Sequence, residues 1–328
     1  MTGLVAGNKV YDATTTATLD TSGASVSGVV TGDLVTVSLS GATGTFAGKD
    51  VGTGVAVTVA GASSALTAGT GTSGIATLLS NYSLNPVGSL TANITPAPLT
   101  ITGMTAANKV YNGSVAATLS GGTLTGVQGS DSVTLNTSGV TGTFADKNVA
   151  NGIAVSVTGA TVSAGSGTML SNYTFTEPTN ITANITKAPL TVLGVTSADK
   201  VYNGNTTATI DTTAATLSGV VPGETITLNT TGAVGDFASK NASSSVQAVT
   251  VTGMSLVQGS NALLGNYTLN TVSGGSALIT PAPLTVTGLA ANNKVYDGTT
   301  VASLNTSGAS VSGVVTGDQV SLSLTGAT

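Results

Sequence analysis

Lys109-Val110-Tyr111-Asn112-Gly113 returns as Lys200-Val201-Tyr202-Asn203-Gly204 and as Lys294-Val295-Tyr296-Asp297-Gly298. It also stands near the start, altered, as Lys9-Val10-Tyr11-Asp12-Ala13. The four tyrosines, Tyr11, Tyr111, Tyr202 and Tyr296, are spaced almost evenly along the chain. Recurrence at a near-constant period marks a repeat architecture, one small body built several times. Three more landmarks return in the same order. Phe followed by Ala and, two positions further, Lys occurs at Phe46, Phe144 and Phe237; Asn-Tyr occurs at Tyr82, Tyr173 and Tyr267. Ala-Pro-Leu-Thr starts at Ala97, Ala188 and Ala282.

The internal spacings are rigid in some places and loose in one. The interval from each Asn-Tyr tyrosine to the next Ala-Pro-Leu leucine is identical in all three copies (Tyr82 to Leu99, Tyr173 to Leu190, Tyr267 to Leu284). So is the interval from that leucine to the next Lys-Val-Tyr tyrosine (Leu99 to Tyr111, Leu190 to Tyr202, Leu284 to Tyr296). From Phe to the Asn-Tyr tyrosine the interval varies: Phe46 to Tyr82 is longer than Phe144 to Tyr173 or Phe237 to Tyr267. Surface loops accept insertions and paired strands do not. The extra residues of the first copy are therefore expected in the stretch from Gly61 to Gly74. Boundaries are expected at the proline-containing segments Pro96-Ala97-Pro98, Lys187-Ala188-Pro189 and Pro281-Ala282-Pro283, where the fixed proline φ makes a short, stiff joint. This divides the chain into residues 1–96 (opening strand missing), 97–187, 188–281 and a partial fourth repeat, 282–328. Both ends read as cut from a longer array, since Thr2–Thr43 nearly matches Thr287–Thr328.

Within each repeat, apolar residues alternate with Thr or Ser. Val35, Val37 and Leu39 do so, as do Val55, Val57 and Val59, Ile153, Val155 and Val157, and Ile181, Ala183 and Ile185. Period two with one apolar face is a half-buried strand. Asn112-Gly113, Asn203-Gly204 and Asp297-Gly298 match the type I′ hairpin signal, and Asp12-Ala13 matches it poorly. Gly32-Asp33, Gly223-Glu224 and Gly317-Asp318 mark another turn. The expected fold class is all-β: an elongated tandem array of small immunoglobulin-like β-sandwich domains, with a β-grasp-like sheet as the alternative.

Composition excludes several functions. Only 6% of residues are charged, against about 25% in an average soluble domain. All eight basic residues are Lys, and His, Cys, Arg and Trp are absent. Zinc, haem and iron–sulfur sites lack their usual ligands, and a Ser–His–Asp mechanism lacks its base. A net charge of −5 disfavours nucleic acid. Carboxylate and carbonyl oxygens leave a calcium-like ion as the metal class the composition permits, but the dense Asp/Gly loop of a calcium site is missing. No apolar run approaches the ~20 residues of a spanning helix. The expectation is no enzyme, no catalytic or metal residue and no cofactor.

The motif residues read as structure. In Lys-Val-Tyr (Lys9 and Tyr11, Lys109 and Tyr111, Lys200 and Tyr202, Lys294 and Tyr296) alternation puts one face in the core, and the tyrosine hydroxyl is expected to anchor its own turn in the manner of a tyrosine corner. Phe46, Phe144, Phe237, Tyr82, Tyr173 and Tyr267 recur at equivalent positions, as the core of a small sandwich demands. Each repeat is expected to bury its own small core.

These landmarks resemble the YDG and related MBG repeats of large bacterial adhesins. Lys294-Val295-Tyr296-Asp297-Gly298, the preceding Thr280-Pro281-Ala282-Pro283-Leu284-Thr285-Val286, and Asn266-Tyr267-Thr268 upstream carry the resemblance. Asn112 and Asn203 replace Asp, and Ala13 replaces Gly. The resemblance implies a secreted protein of filamentous-haemagglutinin type on the outer surface of a Gram-negative cell. It implies spacer repeats that support attachment or biofilm formation, with repeats that themselves bind host or matrix glycans as the alternative. Expected partners are neighbouring repeats and host-surface or matrix glycans or proteins.

Overall fold

A computed structural model of the chain describes residues 1–61, 66–71, 77–85 and 87–325. The chain forms two compact units. One comprises Met1–Asn108, Val115–Asp146 and Gly152–Asn184; the other comprises Lys109–Ser114, Lys147–Asn151 and Ile185–Thr328.

The protein is all-β, built as tandem repeats of mixed sheets. In the first repeat a five-stranded sheet runs in the order Lys9–Val10, Leu90–Thr95, Gly52–Ala60, Thr43–Phe46, Thr16–Ala17. The Lys-Val-Tyr strand lies parallel to Leu90–Thr95, and its Tyr11 N–H donates to the Thr95 carbonyl at 2.8 Å. In the second repeat Ala97–Ala106 pairs antiparallel with Leu119–Thr125 and, through its first residues, parallel with Tyr173–Thr176. The third repeat has the same arrangement: Ala188–Leu193 lies between Thr216–Ser218 and Tyr267–Leu269. Alternation sets which side is buried: Ile153, Val155 and Val157 face the core while their neighbours are exposed. Threonines on the wet face pair across strands, as Thr36 and Thr67 do at 2.6 Å.

The expected insertion in the first repeat falls partly outside the described residues, at 62–65 and 72–76. The flanking strand Leu66–Ala68 pairs with Val35–Val37, as Thr161–Ala164 pairs with Val133–Asn136 one repeat on.

Two expectations are corrected. The Asn-Gly segments are not hairpin turns. Gly113, Gly204, Gly298 and also Ala13 have positive φ, but Asn112, Asn203, Asp297 and Asp12 do not, and type I′ requires both. Instead the Asp12 carboxylate accepts the Thr14 N–H at 2.9 Å, an Asx turn, and the strands on either side pair with different partners. Lys9 closes this loop, donating to Asp12, to the Thr14 carbonyl at 2.7 Å and to the Thr16 carbonyl at 3.1 Å, with its ammonium 5.3 Å from the Phe46 ring centre. Lys200 does the same with Asn203, Asn205, Thr207 and Phe237. The periodic Lys thus holds a short loop together by its carbonyls, a role that the Asp or Asn beside it shares.

Nor, among the described residues, is the core around Tyr11 and Phe46 confined to the first repeat. Its Tyr11, Phe46, Val57, Ala92 and Ile94 form one cluster with Ala97, Leu99 and Tyr173, beyond Pro96. The reason is geometric. Pro96 only separates two strands that follow one another, and the apolar face continues from Ile94 to Ala97 and Leu99, which are 1%, 0% and 0% exposed.

Candidate functional site

The recurrent residues converge on a clasp between neighbouring repeats. A short 3₁₀ turn, Leu170–Asn172, precedes Tyr173. It aims the Asn172 side chain back at the first repeat, where its Oδ1 accepts the Val51 N–H at 2.9 Å and its Nδ2 donates to Asp50 Oδ1 at 2.8 Å. Asn172 is 1% exposed, so both contacts are made in place of water. Tyr173 reaches the carboxylate of Asp131, donating at 2.7 Å and accepting the Gln128 N–H at 3.0 Å. Tyr11, far away in sequence, donates to the same oxygen at 2.8 Å. The two tyrosine rings meet edge to face, 5.4 Å between centres. Lys49, from the Phe-Ala-x-Lys landmark, lies 3.4 Å from the other Asp131 oxygen.

One buried carboxylate therefore receives two phenols and an ammonium. Burial by itself would raise Asp131, but the Tyr173 and Tyr11 hydroxyls and the Lys49 charge outweigh it and hold the carboxyl below its ordinary 3.8. Burial pushes the Tyr173 phenol up to about 12, and the Asp131 carboxylate adds to the effect. Tyr11 is raised by the same two causes. A phenol that stays protonated is a donor, which is the form the clasp needs.

The second compact unit holds the same assembly with different residues. Asn266 accepts the Val149 N–H at 2.9 Å and donates to Asn148 at 2.8 Å. Tyr111 and Tyr267 both donate to Glu224, and their rings are 5.5 Å apart at 78°. Lys147 lies 3.8 Å from Glu224. Burial, then Glu224, pushes Tyr267 up to about 12. A third copy is partial: Tyr202 donates to Asp318 at 3.2 Å.

The structure places the motif residues in three roles. Lys9, Lys109, Lys200 and Lys294 tie their own loops. Phe46, Phe144 and Phe237 are buried. Tyr11, Tyr111 and Tyr202 do not anchor their own turns, as a tyrosine corner would, but bond a carboxylate of the next repeat. Tyr173 and Tyr267 bond that same carboxylate from within its repeat. Tyr82 does likewise to Asp33, and Tyr296 is 93% exposed. Sequence reading misses Asp131, because Ser130 interrupts the Gly-Asp pair seen elsewhere. The spacing does carry a signal: each Lys-Val-Tyr tyrosine is followed by a carboxylate at a nearly constant interval (Tyr11 to Asp33, Tyr111 to Asp131, Tyr202 to Glu224, Tyr296 to Asp318).

No helix among the described residues is long and apolar enough to cross a membrane. No curated protein matches the chain. The YDG domain matches it four times in tandem, at residues 1–88, 95–181, 186–274 and 280–328. With nearly its whole length covered by these matches and the same clasp rebuilt from one copy to the next, the chain belongs to the YDG domain family.

Proposed function

We propose that these repeats are the spacer of a secreted bacterial surface adhesin, and that they carry no catalytic activity. The observation that supports this reading is the clasp: the recurrent tyrosines and Asn-Tyr asparagines of the inner repeats are spent on joining one repeat to the next. Asn172 with Asp50 and Val51, and Tyr11 and Tyr173 on Asp131, restrain one repeat against its neighbour at several separate points. A joint restrained in this way resists bending more than a bare linker does, which suits a segment that carries an attachment tip away from a cell surface and so supports adhesion or biofilm formation.

Small-angle scattering checks the mechanical part. The expected particle is elongated, and Asn172→Ala with Tyr11→Phe broadens its distribution of dimensions. A compact particle insensitive to both changes refutes the spacer reading. A glycan array with the whole chain checks the competing reading; a spacer gives no specific binding, and a saturable hit moves the function to the repeats themselves.

A further inference from the structure

Asn-Gly occurs at Asn112-Gly113, Asn203-Gly204 and Asn151-Gly152. All three asparagines are exposed, but their settings differ. Asn151-Gly152 lies in the strand Ala150–Thr158, and the Gly152 N–H donates to Asn184 at 2.7 Å. The other two pairs lie in the loops that Lys109 and Lys200 close. Among the described residues, neither Gly113 nor Gly204 donates its N–H to an acceptor. The asparagine carbonyl oxygen is instead surrounded by donors. Asn112 Oδ1 accepts Lys109 Nζ at 3.1 Å, and the Ser114 N–H and hydroxyl at 3.2 Å each. Asn203 Oδ1 accepts Lys200 Nζ at 3.0 Å and the Asn205 N–H at 3.4 Å. In the other two copies the same position holds a carboxylate, and every contact is shorter. Asp12 receives Lys9 at 2.7 Å and the Thr14 N–H and hydroxyl at 2.9 Å each. Asp297 receives Lys294 at 2.8 Å and the Thr299 N–H and hydroxyl at 3.0 Å each. An ionised acceptor shortens and strengthens such bonds. The position therefore suits a carboxylate better than the amide that fills it at Asn112 and Asn203.

We propose that Asn112 and Asn203 are sites of self-modification, each converting to aspartate through attack by the nitrogen of the glycine that follows. At Asn112 the Gly113 nitrogen bonds to Cγ and gives up its proton to water. The Lys109 ammonium and the two Ser114 donors stabilise the negative charge that gathers on Oδ1. The bond from Cγ to the amide nitrogen then breaks. That nitrogen takes a proton from water and leaves as ammonia, and a five-membered imide remains. A second water adds at Cγ and breaks the new Cγ–N bond, which restores the main chain and leaves aspartate. Water adding at the other imide carbonyl would lengthen the main chain by a methylene. Both ends of the loop oppose that lengthening: the Tyr111 N–H is bonded to the Thr186 carbonyl at 2.8 Å, and Ala116 and Ala117 pair with Thr143 and Gly142. Water is the only reactant consumed. Conversion at both positions makes the net charge of −5 two units more negative. It also gives Lys109 and Lys200 the carboxylate contact that Lys9 and Lys294 already have.

Peptide mapping by mass spectrometry tests this on the whole chain, freshly prepared and then incubated at neutral pH, folded and in parallel in urea. In the folded chain Asn112 and Asn203 convert and Asn151 does not. Asn112 converts faster than Asn203, because three donors meet its carbonyl oxygen and two meet that of Asn203. In urea Asn151 converts as well. Ser114→Ala, an exposed substitution, slows Asn112 roughly fivefold, the equivalent of about 1 kcal/mol for one lost hydrogen bond, and leaves Asn203 unchanged. Fragmentation that distinguishes aspartate from its longer-chain isomer shows aspartate as the main product. Asn112→Asp, which supplies the product directly, melts higher than the fresh chain. Folded chain whose Asn112 and Asn203 persist overturns the proposal. So does conversion of Asn151 at the same rate, a Ser114→Ala variant that converts unchanged, the isomer as main product, or an Asn112→Asp variant that melts lower.

Discussion

Leu190 and Leu284 stand in the same Ala-Pro-Leu-Thr motif, one repeat apart, and differ completely in circumstance. Leu190 is 0% exposed and Leu284 47%. Tyr11 and Tyr296 make the same contrast within Lys-Val-Tyr, at 1% and 93%. Nothing in the motifs accounts for this, since the residues are identical. Leu190 is covered by the Asn-Tyr strand of its own repeat, Tyr267–Leu269, and Tyr11 by the carboxylate turn and Asn-Tyr tyrosine of the following one, whereas residues 282–328 hold no Asn-Tyr pair. These recurrent residues therefore serve the junction, and their energetic weight depends on whether that junction is complete.

The contrast predicts unequal costs for equal substitutions. Leu190→Ala should lower unfolding free energy by about 2–5 kcal/mol, the usual range for a buried leucine. Leu284→Ala should stay within about 0.5 kcal/mol, as for an exposed site. Urea denaturation of both variants measures the gap, and equal costs would undo the distinction. Next in size is Asn172→Ala, which strands the Val51 N–H and Asp50 at a buried site and should cost about 2–3 kcal/mol. Asn81→Ala, at the exposed equivalent position, should be neutral.

A complete clasp should also show itself on titration. A tyrosine whose pKa rises on folding contributes stability that is complete below its unfolded value and is lost as pH climbs through the folded value. For Tyr173 and Tyr267 the window runs from 10.0 to about 12. Alkaline unfolding should therefore set in as the pH enters that window. Tyr173→Phe with Tyr267→Phe should flatten the decline, read by circular dichroism against pH. The sign reverses for Asp131. Its folded pKa is depressed, so its contribution is full above the unfolded value and disappears as pH falls below 3.8 through the folded one.

The smallest expected effect is at Ala13. It has φ +62°, where its equivalents are glycines, and the residue facing it is Gly129, whose Cβ, if present, would lie 2.8 Å from that of Ala13. Ala13→Gly should raise stability by about 1 kcal/mol through relief of the left-handed backbone. A lower melting temperature for this variant would show that contact with Gly129 matters more than strain.

Much of the architecture is legible from residues alone. The alternation of Ile153, Val155 and Val157 with polar residues specifies a strand and its buried face, because side chains alternate by geometry. The landmarks specify repeats because one pattern builds one body. Lys-Val-Tyr is legible as a structural motif but not in its contacts: alternation says that Tyr11 is buried, and says nothing of what buries it. Asn-Gly misleads because the same dipeptide suits an Asx-turn loop as well as a hairpin, and only strand pairing separates the two.

Local state and periodicity are thus written in the order of the residues: strands, turns, buried faces and a unit that recurs four times. Partnership is settled only in the folded chain. Tyr11, its backbone held by the carbonyl of Thr95, bonds Asp131 of the following repeat rather than Asp33, the acid much nearer to it in sequence. Burial patterns encode how much of a side chain leaves water. Which side chain it meets depends on strands paired between segments distant in sequence, and no local pattern carries that far.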